Sequence, residues 1–206
     1  MRIKGSKYFL LLFLLFTWEL IQPVHVLGQR INFSTWTGSE DISITSVMAM
    51  PELNFNQKQN IIIQGNTVNI DLVDNQAVAF IIEAPENFDV SLEIVAPTYL
   101  SLAEDPSKTI PFSIKLAYNN QQPLNEQIGK LNAIELPLGF TSLTFPINRK
   151  LTGPPGPPPT PISGTDTRNK VSAYVYVYGS LGPVGAVPAG RYSGDISLTV
   201  NITSYE

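Results

Sequence analysis

The side chains able to do chemistry in this sequence are mainly carboxylates. Glu83, Glu86, Asp89 and Glu93 cluster in one stretch, and Glu40-Asp41 and Glu104-Asp105 form two further pairs. Two carboxylates flanking a glycosidic bond are the machinery of glycoside hydrolysis, one as acid and the other as base or nucleophile. A Ser/Lys arrangement is the other nucleophilic option that this composition leaves open. Clustered acids at the ends of alternating segments are more ordinarily solvated, because a carboxylate keeps its water unless something pairs it. Histidine and cysteine set a firmer limit. The single histidine is His25, and there is no cysteine. His25 falls in a leader expected to be removed, so the mature chain would have neither residue. That excludes histidine-dependent triads, thiol nucleophiles and zinc sites of the histidine or thiolate kind. No G-x-x-x-x-G-K, G-x-G-x-x-G or D-x-D-x-D-G pattern occurs to cradle phosphate or calcium. The expectation is a protein with no catalytic residue, no metal site and no cofactor.

Three other features could act by binding. Tyr174, Tyr176 and Tyr178 alternate with Ala173, Val175 and Val177, which puts the three rings on one face of a strand. Such a row can stack sugar rings, and it can equally build a buried ladder or a subunit contact. The run GPPGPPPTP at 153–161 is a stiff, extended segment that suits an aromatic groove, although between two strands it reads first as a long surface loop. Asn32-Phe33-Ser34 and Asn201-Ile202-Thr203 match the N-glycosylation acceptor pattern, which has meaning only in a eukaryotic secretory pathway.

The beginning of the sequence indicates where these elements work. Arg2, Lys4 and Lys7 precede the apolar run YFLLLFLLF at 8–16, which is too short for a mature membrane span. Val26-Leu27-Gly28 then offers a cleavage site that leaves Gln29 first. An uncleaved anchor is the alternative. The reading is a signal peptide over 1–28, export through it, and no membrane span in the mature protein. Cleavage leaves 178 residues, enough for one domain with a substantial core. Three of the 13 basic residues and one of the 17 acidic ones go with the leader, leaving 10 against 16. A net charge of that sign provides no footprint for nucleic acid. Without disulfides, stability has to come from the core and from backbone pairing.

What positions everything is a series of alternating segments. In AGRYSGDISLTVNITSYE, Tyr192, Ile196, Leu198, Val200 and Ile202 take even positions while polar residues take the odd ones. DISITSV, TVNIDLVD, DVSLEIVAP and TIPFSIKLAY repeat that pattern, and AVAFIIEAP is apolar enough to be buried on both faces. NEQIGKLNAIEL comes nearest to a helical period and predicts one helical turn. Short strands with turns between them, and no helices to cover a parallel sheet, predict an all-β, two-sheet antiparallel sandwich. Its domain would run over 41–206, with an N-terminal arm at 29–40 and the Pro-rich loop at 151–168.

Three stretches carry a family resemblance: DISITSVMAMPELNFN, AVAFIIEAPENFDVSL and VPAGRYSGDISLTVNI. The first resembles an alternating strand leading to an L-[ND]-F-G step. The second resembles a buried strand, a proline and a y-x-v-s-l strand. The third resembles a P-A-G-x-Y-x-G/D terminus. Together, over roughly 41–202, they resemble exported bacterial pilin-like domains related to spore coat protein U and to archaic chaperone–usher pilins. The resemblance implies an immunoglobulin-like sandwich on the bacterial surface, in which a subunit borrows a strand from its neighbour. Partners would then be copies of itself or other surface subunits, joined by strand addition. Ile31, Phe33 and Thr35 alternate in the arm and make it a candidate donor, while Trp36 breaks the pattern and favours an arm that completes its own sheet or is frayed. The reading is an exported, non-enzymatic structural or adhesive protein, secreted or on the cell surface, of fimbrial type. A secreted carbohydrate-binding module using the tyrosine face for glycans is the alternative.

Overall fold

The computed structural model describes residues 28–38, 41–58, 64–86, 88–147 and 170–205. Residues 1–27 of the expected 1–28 leader and the whole of the Pro-rich loop expected at 151–168 lie outside them. The described chain is an all-β sandwich built from one long sheet that curls over on itself. Twelve strands run in order: β1 (Gln29–Gly38), β2 (Ser43–Ser46), β3 (Glu52–Asn54), β4 (Val68–Ile70), β5 (Val78–Pro85), β6 (Phe88–Val95), β7 (Tyr99–Leu102), β8 (Thr109–Asn119), β9 (Ile134–Glu135), β10 (Ser142–Pro146), β11 (Lys170–Leu181) and β12 (Tyr192–Tyr205). Two short helices interrupt them, α1 (Phe55–Lys58) and α2 (Glu126–Leu131). The second is the helical turn that NEQIGKL predicts, started by Asn125, whose side chain accepts the Ile128 N–H at 2.9 Å.

One layer contains β10, β6, β12, β1 and β3 in that order, and the other contains β9, β8, β11, β5 and β2. Strand β8 belongs to both. Its start pairs with β7 (Leu100↔Ile110), and from Phe112 onward it pairs with β11. Both of its flanks hold buried residues, with Ile110, Phe112, Ile114 and Leu116 in the alternation the sequence predicts.

Proline sets one bend. Along β12, Val95 pairs with Ser197 and Ser101 with Ser193, so β6 and β7 need two more residues than their partner to cover the same length. The excess is absorbed at residues 96–98. Pro97 cannot donate to a ladder, and it packs where a side chain on Gly194 would stand, 2.9 Å from that Cβ position.

The core lies between the layers. Ile196, Leu198 and Val200 of β12 are buried and Thr199 is exposed, as the alternation predicts. Ile202 is only partly buried, at the end where a bulge at Thr203 shifts the register. Val68, Ile70 and Leu72 share a buried face, but β4 ends at Ile70. There the chain turns, with Asp74 N–H bonded to Asp71 O and Asp71 N–H to the Asp74 carboxylate. This turn lets β5 continue along β11 beyond β4.

Candidate functional site: the first strand and its groove

Strand β1 lies between the last strand and β3. It runs parallel to β12, from Gln29 opposite Tyr192 to Gly38 opposite Val200, and antiparallel to β3 over Arg30–Asn32. This is the one parallel pairing among the described strands. The segment read as an arm is therefore an integral strand of the sandwich, and the arm completes its own sheet.

Its alternation is real and short. Gln29, Ile31 and Phe33 point inward and are buried, while Arg30 and Asn32 face water. Phe33 reaches across the core to Phe80 of β5 at 5.1 Å between ring centroids. The pattern then breaks at Ser34, where the register slips by one residue relative to β12. The Ser34 hydroxyl donates to Ile196 O at 3.4 Å. The slip places Thr35 in solvent and turns Trp36 inward onto Phe80, 5.9 Å away. Trp36 is the residue that spoils the sequence alternation, and the bulge is why it can still pack.

The strand's two edges differ. Its inner edge is paired along its whole length, whereas β3 covers the outer edge only at Arg30–Asn32, followed by a bond from Phe33 N–H to Pro51 O at 3.4 Å. Arg30 and Glu52 meet across this short pairing at 3.5 Å in solvent, a contact worth little by itself. The β1 N-terminus is fixed differently: Gln29 N–H donates to the Asn56 side-chain oxygen at 3.3 Å.

The tyrosine row has another fate. Tyr174, Tyr176 and Tyr178 do share a face, and Tyr174 and Tyr176 stack at 6.0 Å. Helix α2 lies against that face at Tyr176, Glu135 of β9 reaches in from the sheet edge to Tyr178, and all three residues are buried. The Tyr176 hydroxyl donates to Glu126 O at 3.2 Å, and the Tyr178 hydroxyl donates to the Glu135 carboxylate at 2.7 Å. Gly129 is the close approach that lets α2 lie here, since a Cβ would collide with the Tyr176 hydroxyl. Burial raises both phenol pKa values well above the ordinary range; the charge of Glu126 adds to this for Tyr176, and the hydrogen bond to Glu135 adds to it for Tyr178. The row is a ladder packed inside the fold, with all three side chains buried.

The covering segment is what the sequence reading missed. NEQIGKLNAIEL predicts a helical turn but not what that turn covers, and Lys130 is buried in it. Its ammonium donates to the Glu126 carboxylate at 2.8 Å and to Asp74 O at 3.0 Å. The Asn125 cap was the available signal. A buried lysine with a carboxylate four residues earlier has no comparable signature, because the same spacing occurs on exposed helix faces.

The acids do not converge. Ser43 hydroxyl donates to Glu83 at 2.9 Å on the surface, Asp105 is occupied by the Ser107 hydroxyl, and Glu40 lies outside the described residues. Among the described residues no three acidic, histidine or cysteine side chains gather to hold a metal ion, and no helix is long and apolar enough to cross a membrane. Asn32 and Asn201 are both exposed on strands.

No family model matches the sequence, and neither does any curated protein. Solved structures do show likeness. A chaperone–tip adhesin complex described as vital for biogenesis of CFA/I fimbriae aligns over 80% of this chain and 43% of that one, at 13% identity and a TM-score of 0.37. The CooA pilin subunit from enterotoxigenic Escherichia coli aligns over 80% of this chain and 99% of its own, at 11% identity and a TM-score of 0.31. CfaE, the adhesive subunit of CFA/I fimbria of enterotoxigenic Escherichia coli, aligns over 89% and 50%, at 7% identity and a TM-score of 0.29. The chain thus spans less than half the length of the first of these.

Proposed function

We propose that this protein is an exported, non-enzymatic structural or adhesive subunit of a bacterial cell surface. It assembles by lending β1 to a neighbouring copy. The position of β1 is what carries this reading. Once the leader is removed, the strand is joined covalently to the rest of the fold only through the chain that follows Gly38, and it seats Ile31 and Phe33 in the core. Taking it away would bare the β12 edge from Tyr192 to Val200 and open the core beneath it. An exposed edge of that length recruits another strand. The strand with the matching side chains is the same segment of a second copy, since exchange of an identical element recreates every contact at low cost. Ile31 and Phe33 are the anchors of the donated strand, and Thr35 follows the bulge on its wet side.

The test is assembly of the exported protein on native gels over a range of concentrations. A regular ladder is expected from the protein that retains residues 29–38, and none from one that lacks them. Addition of a free peptide of residues 29–38 should convert the shortened protein to a stable monomer. A full chain that stays monomeric at every concentration would refute the reading.

A further inference from the structure

Gln29 is an anomaly in its own strand. It is fully buried at the N-terminal end of β1, opposite Tyr192, and neither its side-chain nitrogen nor its side-chain oxygen has a partner. A buried amide that makes no hydrogen bond keeps its whole desolvation penalty. The backbone just before it is also unusual. Gly28 has a φ of +86°, and a Cβ there would sit 3.4 Å from Cγ and 3.5 Å from Nε of Arg191. The guanidinium arm of Arg191 therefore lies against the peptide that precedes Gln29.

Cleavage after Gly28 changes the chemistry of this corner. The Gln29 nitrogen, now an amide donating to the neutral Asn56 side-chain oxygen at 3.3 Å, becomes an α-ammonium. It would be a positive charge in a buried position, with Arg191 beside it and Arg30 next in sequence. Burial and a like charge both act against a cation. Three observations thus converge on one residue: the unpartnered amide, the neighbouring guanidinium and the acceptor that carries no charge.

We infer that Gln29 is a modification site, at which the mature N-terminus closes to pyroglutamate. This rests on the export reading, because only cleavage before Gln29 frees the nitrogen. The uncharged α-amine attacks the side-chain Cδ and forms a five-membered lactam. The Cδ–Nε2 bond breaks, a proton passes from the attacking nitrogen to Nε2, and ammonia leaves. The reaction needs neither oxidant nor co-reactant. It takes place on the exported chain before β1 is seated, and it removes both the charge and the unpartnered amide nitrogen from the site that β1 then occupies.

Mass spectrometry of the N-terminal peptide from freshly exported, acid-quenched protein tests this. The main form is expected to start at residue 29, to lack one ammonia relative to a free glutamine, and to resist stepwise amino-terminal degradation. After unfolding and treatment with pyroglutamyl aminopeptidase it should read Arg30-Ile31-Asn32. A Gln29→Asn variant keeps the cut but cannot close this ring, so its terminus should be free. A free α-amine on wild-type Gln29 would overturn the inference and leave the export reading standing. A blocked Gln29→Asn terminus would overturn it as well, because some other cap would then be at work. A chain cut elsewhere would overturn the inference alone, and one that keeps Met1 would overturn both.

Discussion

Phe33→Ala is the sharpest probe of whether β1 belongs to the core. The ring is 6% exposed, tilted at 60° to Phe80, and in register with Ile196 of β12. Truncating a buried phenylalanine costs about 3–5 kcal/mol once the cavity is included. The aromatic pair makes up about 0.5–1.5 kcal/mol of that. In a domain of this size each kcal/mol moves the melting temperature by about 2–4 °C, so a fall of roughly 6–20 °C is expected. That is a large share of a total stability of about 5–15 kcal/mol. Thr35→Ala, two residues on but exposed, should stay within about 0.5 kcal/mol of the parent. Thermal unfolding followed by circular dichroism, at concentrations where the protein is monomeric, reads both. If Phe33→Ala melted no lower than Thr35→Ala, β1 would not be holding the fold, and the assignment of its groove would fail.

The same contrast applies on the facing strand. Leu198→Ala should cost about 2–5 kcal/mol while Thr199→Ala shifts melting little, and equal sensitivity by thermal unfolding would contradict the assigned faces. Alkaline pH tests the covered tyrosine ladder. Burial first, and then the Glu135 hydrogen bond, raises the folded pKa of Tyr178, so its contribution is fully present below the unfolded value of about 10 and is lost as pH climbs beyond it. Denaturant midpoints measured from about pH 8 to about pH 11 should fall less steeply in Tyr178→Phe than in the parent; identical slopes would mean that the phenol is not buried as described.

Much of this architecture was legible because alternation has a physical cause. A strand with one wet face and one dry face must place its residues two apart, and Ile110 to Leu116 and Ile196 to Val200 do so. The breaks in that pattern were harder to interpret. Trp36 looks like the end of a strand, and only the slip at Ser34 shows how the chain passes a bulky ring back into the core. Faces were legible, but what covers them was not. Tyr174, Tyr176 and Tyr178 share a side as their spacing requires, yet no local pattern shows that α2 would close over it. That contact joins residues some fifty positions apart, Tyr176 and Glu126. Gln29 was invisible for a similar reason. As a lone glutamine at a strand end its type suggests water, and the residues it meets, Asn56 and Tyr192, are distant in sequence.

The central claim is that β1 fills the groove beside β12 from its own chain when the protein is alone, and from a neighbour when it is assembled. Thr35 and Ser197 are opposite each other across that pairing, and the chain contains no cysteine to interfere. Disulfide capture with Thr35→Cys and Ser197→Cys therefore measures it directly. The double variant should cross-link within one chain in the isolated monomer. A mixture of the two single variants, oxidised in assembled material, should give a covalent pair of chains joined between residues 35 and 197. Assembled material whose single variants never join, while the double variant cross-links only within each chain, would contradict the claim.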